Sequence, residues 1–176
     1  MTTNSGAAAR RVFRSKVDSI RPTYGFEDVS LAPGTSTVEP ADVDLSQTFA
    51  GIPLAIPVLA AAMDAVVDPR LSGELARLGG LAILNLEGVQ ARFEDADTVL
   101  AKIAAAPADK VQDLLAAAYA EPIREELVAR RIEELHAAGS KAAVAATPGA
   151  ARKWGPFCAE HGADLFLRSE EHTSEL

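Results

Sequence analysis

Apolar residues fall along this chain in short continuous runs, separated by stretches with helical spacing. Ile56 to Ala62 (IPVLAAA) and Leu81 to Asn85 (LAILN) are apolar at nearly every position, as fully buried parallel strands are. Between them, Asp68-Pro69 offers an N-cap and a first-turn proline. Leu71, Leu75 and Leu78 mark one helical face, and Gly79-Gly80 ends it. Strand, loop, helix and strand make a βαβ unit with a right-handed crossover. Residues 101–106, 111–118 and 122–138 carry helical spacing interrupted by Pro107 and Pro122. In the last of these, Ile123, Leu127, Ile132 and Leu135 share one side. Arg124, Glu125, Glu126, Arg130, Arg131, Glu133 and Glu134 are expected on a solvated face. Residues 141–146 read as a third strand, Thr147-Pro148 opens a helix that closes near His161-Gly162, and 163–167 begins a fourth strand. Upstream, 24–33 predicts a short strand stopped by Pro33-Gly34, and 42–49 predicts another broken at Ala50-Gly51. Both are expected outside the main sheet, near its N-terminal end.

Buried strands alternating with helices indicate an α/β fold with parallel strands. A doubly wound sheet and a (β/α)8 barrel both fit that pattern. The 176 residues suffice for one domain, and 35 of them are alanine, so the core-forming content is smaller than 48% hydrophobic composition suggests. The longest apolar run, Ile52 to Met63, is twelve residues and contains two prolines, short of the about 20 that span a bilayer. A formal charge of −8 and a pI near 4.9 argue against nucleic-acid and anionic-membrane partners. One cysteine, Cys158, excludes an internal disulfide framework and suits a cytoplasmic location. Residues 1–22 read as a mobile tail.

The chemistry-bearing motifs of common enzyme classes are missing from the sequence. No glycine-rich dinucleotide fingerprint, P-loop, His-Glu-x-x-His or Gly-x-Ser-x-Gly is present. His136, His161 and His172 lack metal-ligand spacing, and Cys158, between Phe157 and Ala159 in a helix, is expected to pack as a small hydrophobe. The informative stretch is Leu59 to Gly88, LAAAMDAVVDPRLSGELARLGGLAILNLEG. It puts Met63-Asp64 at the carboxyl end of a buried strand, where parallel α/β folds bind ligands. The pair fits a ligand site, and equally a core methionine followed by a turn-forming aspartate.

That stretch resembles the IMP dehydrogenase and GMP reductase family, which runs an apolar strand into Met-Asp, then a short helix, then Gly-Gly. Tyr24-Gly-Phe26-Glu-Asp28-Val29 and Leu31-Ala-Pro33 resemble the family's entry segment. Asn85-Leu-Glu-Gly88 and Tyr119-Ala-Glu-Pro-Ile123 resemble its branch without CBS domains. Only 52 residues, Val89 to Ser140, lie where other members insert a CBS pair. The resemblance covers residues 23 to 167 and implies a (β/α)8 TIM barrel, represented by about its first four strands. A complete barrel takes about 250 residues. The family's catalytic cysteine loop, phosphate-binding glycines and most of its NAD contacts are expected after the fourth strand, so no catalytic residue is assigned here. Residues 168–176 (RSEEHTSEL) match the in-frame translation of a sequencing adapter and are expected to be a non-native read-through tail. With an open half barrel, the fragment is expected to be inactive and to self-associate.

Carried over by position, Met63 matches the family methionine that touches the hypoxanthine base, and its side chain is expected at the barrel mouth near Asn85. Ala61 stands where the usual enzyme has a nucleotide-contacting serine, and Asn85 where many members have a histidine. The implied activity is NAD-dependent oxidation of IMP to XMP in guanine nucleotide synthesis. GMP reductase with NADPH, and a non-catalytic purine-nucleotide-binding paralogue, are the alternatives. The implied partners are a purine nucleotide and further copies of the chain, in a tetramer.

Overall fold

In the computed structural model, residues 22–168 are described. The tail expected at 1–22 lies almost wholly outside them, as do His172 and all but the first residue of the expected read-through tail. The chain divides into two units at Val43/Asp44. In the first, the strand expected over 24–33 is not formed. Asp28 turns back to accept the Gly25 N–H at 3.0 Å, closing a 3-10 turn at Phe26–Asp28 with no strand beside it. A second 3-10 turn, Pro40–Asp42, takes the start of the other expected strand.

In the second unit, that strand shortens to β1 (Gln47–Phe49), paired antiparallel with β2 (Ile52–Leu54). The Ala50-Gly51 break is the hairpin turn: both residues have positive φ, 48° and 83°. Next come β3 (Leu59–Ala60), α1 (Pro69–Arg77) and β4 (Leu81–Asn85). After them follow α2 (Ala96–Ala104), α3 (Ala108–Ala120), α4 (Glu125–Ala137), β5 (Ala143–Ala146), α5 (Pro148–Glu160) and β6 (Leu165–Arg168). Asp68 caps α1 as the sequence predicts, its side chain accepting the Leu71 N–H. At the other end Gly79 is required twice over. Its φ is +88°, and a Cβ there would meet Ala55 Cβ at 2.4 Å.

β3, β4, β5 and β6 form one parallel sheet in sequence order. Ala82, Leu84, Val144 and Ala146 face α1, α4 and α5 through Leu71, Leu75, Val128, Ile132, Leu135 and Trp154. Leu81, Ile83, Ala143 and Ala145 face the other way and are covered by Ile52, Leu54 and Phe49 of the hairpin. All the crossover helices therefore lie on one face, in sequential strand order. That arrangement is an arc of a barrel, since a doubly wound sheet carries helices on both faces. Cys158 packs in the helix-side core as expected, and burial pushes its thiol up to about 11.

The helix that packs on the sheet after β4 is α4, and α2 and α3 precede it, in the loop leaving the carboxyl end of β4. One expectation about α4 is corrected. Arg131 is not on the solvated face of α4 but is 7% exposed. It turns inward because the 3-10 turn Val89–Ala91 and the residues after it present carbonyls without helical partners. Arg131 donates to those of Gln90, Phe93 and Glu94 at 3.0, 3.1 and 2.8 Å.

At the opposite end of the sheet, Asp164 joins β5 to β6. It accepts from Ala142 N–H at 2.8 Å and Lys141 Nζ at 2.9 Å, and His136 Nε2 lies 2.8 Å away. Desolvation raises its carboxyl, but these hydrogen bonds outweigh that and hold it at about 2, below the usual 3.8. A depressed value contributes stability that is complete above about pH 4 and is lost as pH falls through about 2. Asp164→Asn should therefore cost about 1–2 kcal/mol at pH 7, after discounting for solvent screening. The gap in urea unfolding should close toward pH 2. A gap constant with pH would show that shape, not charge, is what matters there.

Candidate functional site

At the carboxyl ends of β3, β4 and β5 one carboxylate gathers three segments. Asp64 leaves β3 through a tight turn, with Met63 N–H donating to Ala61 O at 2.8 Å and the Val66 and Val67 N–H groups donating to Met63 O at 2.9 Å. Its Oδ1 accepts from Asn85 Nδ2 at 2.9 Å. Its Oδ2 accepts from the buried Val89 N–H at 2.7 Å and from the Tyr119 hydroxyl of α3 at 2.6 Å. Burial, and then the hydrogen bond and charge of Asp64, push the Tyr119 phenol up to about 12, so it stays a donor at neutral pH.

A second carboxylate closes the ring. Glu87 accepts from the Thr147 N–H at 2.6 Å and its hydroxyl at 3.1 Å, tying the loop after β4 to the start of α5. The Glu87 N–H donates to Asn85 Oδ1 at 3.0 Å, and Arg92 donates from Nε and Nη2 to Glu87 O at 3.0 and 2.9 Å. Arg92 also bonds Glu121 O and stands 5.6 Å over the Tyr119 ring.

These groups border two recesses. A cleft of about 390 Å³ is lined by Ala62, Asn85, Glu87, Arg92, Tyr119, Ala145, Ala146 and Thr147. A more apolar groove of about 610 Å³ runs between Met63 and the α2–α3 pair, lined by Val89, Leu100, Ile103, Leu115 and Tyr119. Both volumes suit small ligands.

Of the residues singled out from sequence, Asn85 lines the cleft, while the half-exposed Met63 lines the groove. The tight turn aims Met63 there, and it is Asp64, not Met63, that touches Asn85. Ala61 is exposed and lines neither recess. In sequence Asp64 fits a ligand site and a turn equally, Tyr119 stands out only within Tyr119-Ala-Glu-Pro-Ile123, and nothing marks Arg92. The usable signal was an aspartate just past an apolar strand, together with a glycine that tolerates nothing larger. The strand itself, expected to be fully buried, is an edge strand of the described sheet, with Leu59 40% exposed. A Cβ on Gly88 would stand 1.7 Å from Asp64 Oδ1.

Residues 23–153 match the IMP dehydrogenase / GMP reductase domain family. The chain belongs to that family. An IMP dehydrogenase/GMP reductase-like protein of Corynebacterium glutamicum, known from its crystal structure, superposes with a TM-score of 0.75 at 28% identity. The match covers 85% of this chain and 42% of that one. An uncharacterized oxidoreductase of Mycolicibacterium smegmatis is 31% identical over 152 residues, 84% of this chain and 40% of that protein. The inosine-5′-monophosphate dehydrogenase of Methanocaldococcus jannaschii is 43% identical over 74 residues, 42% of this chain and 15% of its own. The chain thus spans well under half the length of these relatives. The arc β3–β6 is part of the family's barrel. Among the described residues, no helix is long and apolar enough to cross a membrane.

Proposed function

We propose that the protein carrying these residues oxidises IMP to XMP, passing hydride to NAD, and that this chain supplies part of the nucleotide-binding wall of the barrel mouth. The observation that carries the reading is the family's Met-Asp pair at the carboxyl end of a parallel strand, bordering a cleft and a groove of ligand size. Met63 presents a flexible, polarisable thioether, suited to packing on a flat heterocycle. Asn85 offers a polar edge in the neighbouring cleft.

NAD itself is not accommodated by the described residues. Thr147 is engaged with Glu87, and Arg92 with the carbonyls of Glu87 and Glu121, so these side chains do not make a cradle for a diphosphate. The family resemblance puts most of the NAD contacts after β6. The expected partners are a purine nucleotide and further copies of the same protein.

The test is assay of the protein expressed from the complete reading frame, with IMP plus NAD against GMP plus NADPH. Reduction of NAD with IMP supports the proposal. Turnover of only GMP with NADPH replaces it with GMP reductase, and nucleotide binding without turnover replaces it with a non-catalytic binding protein. In the active enzyme, Met63→Ala should raise KM for IMP about fivefold or more, a little over 1 kcal/mol, and leave KM for NAD within about twofold. An unchanged KM for IMP would reduce Met63 to a packing residue.

A further inference from the structure

The orientation of the Asn85 amide follows from the chemistry of its neighbours. Its nitrogen lies 2.9 Å from Asp64 Oδ1, and a carboxylate oxygen only accepts. Its oxygen lies 3.0 Å from the Glu87 backbone N–H, which only donates. Turning the amide over would set acceptor against acceptor at one end and donor against donor at the other. Asp64 is itself held still, since Oδ2 takes the Val89 N–H and the Tyr119 hydroxyl. Asn85 is half-buried and lines the cleft beside Ala62 and Ala145. One of its two N–H groups is spent on Asp64. The other is the donor left for an occupant of the cleft.

We propose that Asp64 is a positioning residue: it fixes the Asn85 amide so that an N–H is offered to a hydrogen-bond acceptor, a ring nitrogen or carbonyl oxygen, on the heterocycle of the ligand. This rests on reading the cleft as part of a purine-nucleotide site. It assigns Asp64 a part in ligand selection as well as in joining the segments. A site built around a fixed donor disfavours a ligand that presents its own donor at that point.

The decisive variants are isosteric. Asp64→Asn keeps an oxygen for Val89 and Tyr119 but turns an NH2 group toward Asn85, so the Asn85 amide must flip or lose its partner. In the complete protein this should raise KM for IMP, or Kd for IMP measured by calorimetry, about tenfold, with kcat changed less than about twofold. The exchanged pair, Asp64→Asn with Asn85→Asp, rebuilds the bond in reverse and again accepts from Glu87 N–H. It should recover the wild-type melting temperature while KM or Kd for IMP stays raised about tenfold or more. A purely structural role predicts recovery of affinity along with stability, and that result overturns the proposal.

A second measurement reads the geometry without activity. The sequence has two asparagines, Asn4 and Asn85, so the 15N side-chain amide signals of the 176-residue chain are readily assigned. The Asn85 proton held by Asp64 should be protected from solvent exchange relative to its geminal partner in the cleft, and Asp64→Asn should abolish the protection. A pair without that protected proton in the unmodified chain overturns the proposal. Loss of turnover with IMP binding retained would remove the dehydrogenase reading alone; loss of IMP binding by the complete unmodified protein would remove both.

Discussion

Arg131→Met should destabilise the 176-residue chain by about 3–5 kcal/mol, more than its place among seven charged residues of one helix suggests. Methionine keeps the length and apolar volume of the arginine stem, so the change removes donors without opening a large cavity. The carbonyls of Gln90, Phe93 and Glu94 would lose their partner together, and Glu134 would lose the guanidinium beside it. Each unsatisfied buried acceptor costs about 1–3 kcal/mol, and the costs do not add fully because the loop relaxes. Lysine should recover little, because a single ammonium cannot reach three divergent carbonyls as a planar fork does. Urea unfolding followed by Trp154, the only tryptophan, is the measurement. A methionine variant within 1 kcal/mol of the unmodified chain would show that water serves those carbonyls equally well.

Gly88→Ala should have a comparable effect for a different reason. Gly88 has φ −89°, open to any residue, so what the position demands is space. The added methyl would overlap the Asp64 carboxylate, which is short, tethered at three points and unable to swing aside without releasing the buried Val89 N–H. We expect a loss of about 2–4 kcal/mol, together with loss of the Tyr119 contact that draws α3 to the strand ends. Gly149→Ala is the control. A Cβ there meets nothing within 4 Å, and alanine suits the first turn of α5, so stability should hold or rise by up to about 1 kcal/mol. Equal losses at the two glycines would point to a backbone effect and against the collision.

The elements legible in the sequence were those whose signal is local. Leu81–Asn85 is bounded by Gly79-Gly80 on one side and a polar residue on the other, and it forms β4 over the residues expected. α1 begins and ends at its cap and its glycine. Elements that depend on a distant partner were misjudged in extent or in kind. The apolar run 56–62 yields a two-residue β3, because its beginning turns back to meet Gly79 O through the Ala55 and Ile56 N–H groups. Residues 24–33 alternate as a strand does, but a strand needs a neighbour, and a local aspartate offered Gly25 a nearer hydrogen bond. Arg131 lies on a charge-rich helix in sequence and in a nest of carbonyls in space. The site divides in the same way. Its place, past the end of an apolar strand, followed from pattern, whereas the convergence of Asp64, Asn85, Val89 and Tyr119 across 55 positions of sequence did not.

The strand under the cleft is Ala143, Val144, Ala145 and Ala146, and the recess is bordered by Ala62 and by Ala145, while Ala146 reaches it with its methyl packed in the helix-side core. Its depth is therefore set by the smallest side chain that still has a Cβ. Serine, valine or threonine at Ala62 or Ala145 would make the recess shallower by an atom or two. None of those exchanges touches the hydrogen bonds around Asp64 and Glu87. Divergence in ligand size and divergence in ligand polarity thus have separate addresses in this fold. A lineage can retune the first by single-residue steps while the ring of polar contacts is inherited unchanged.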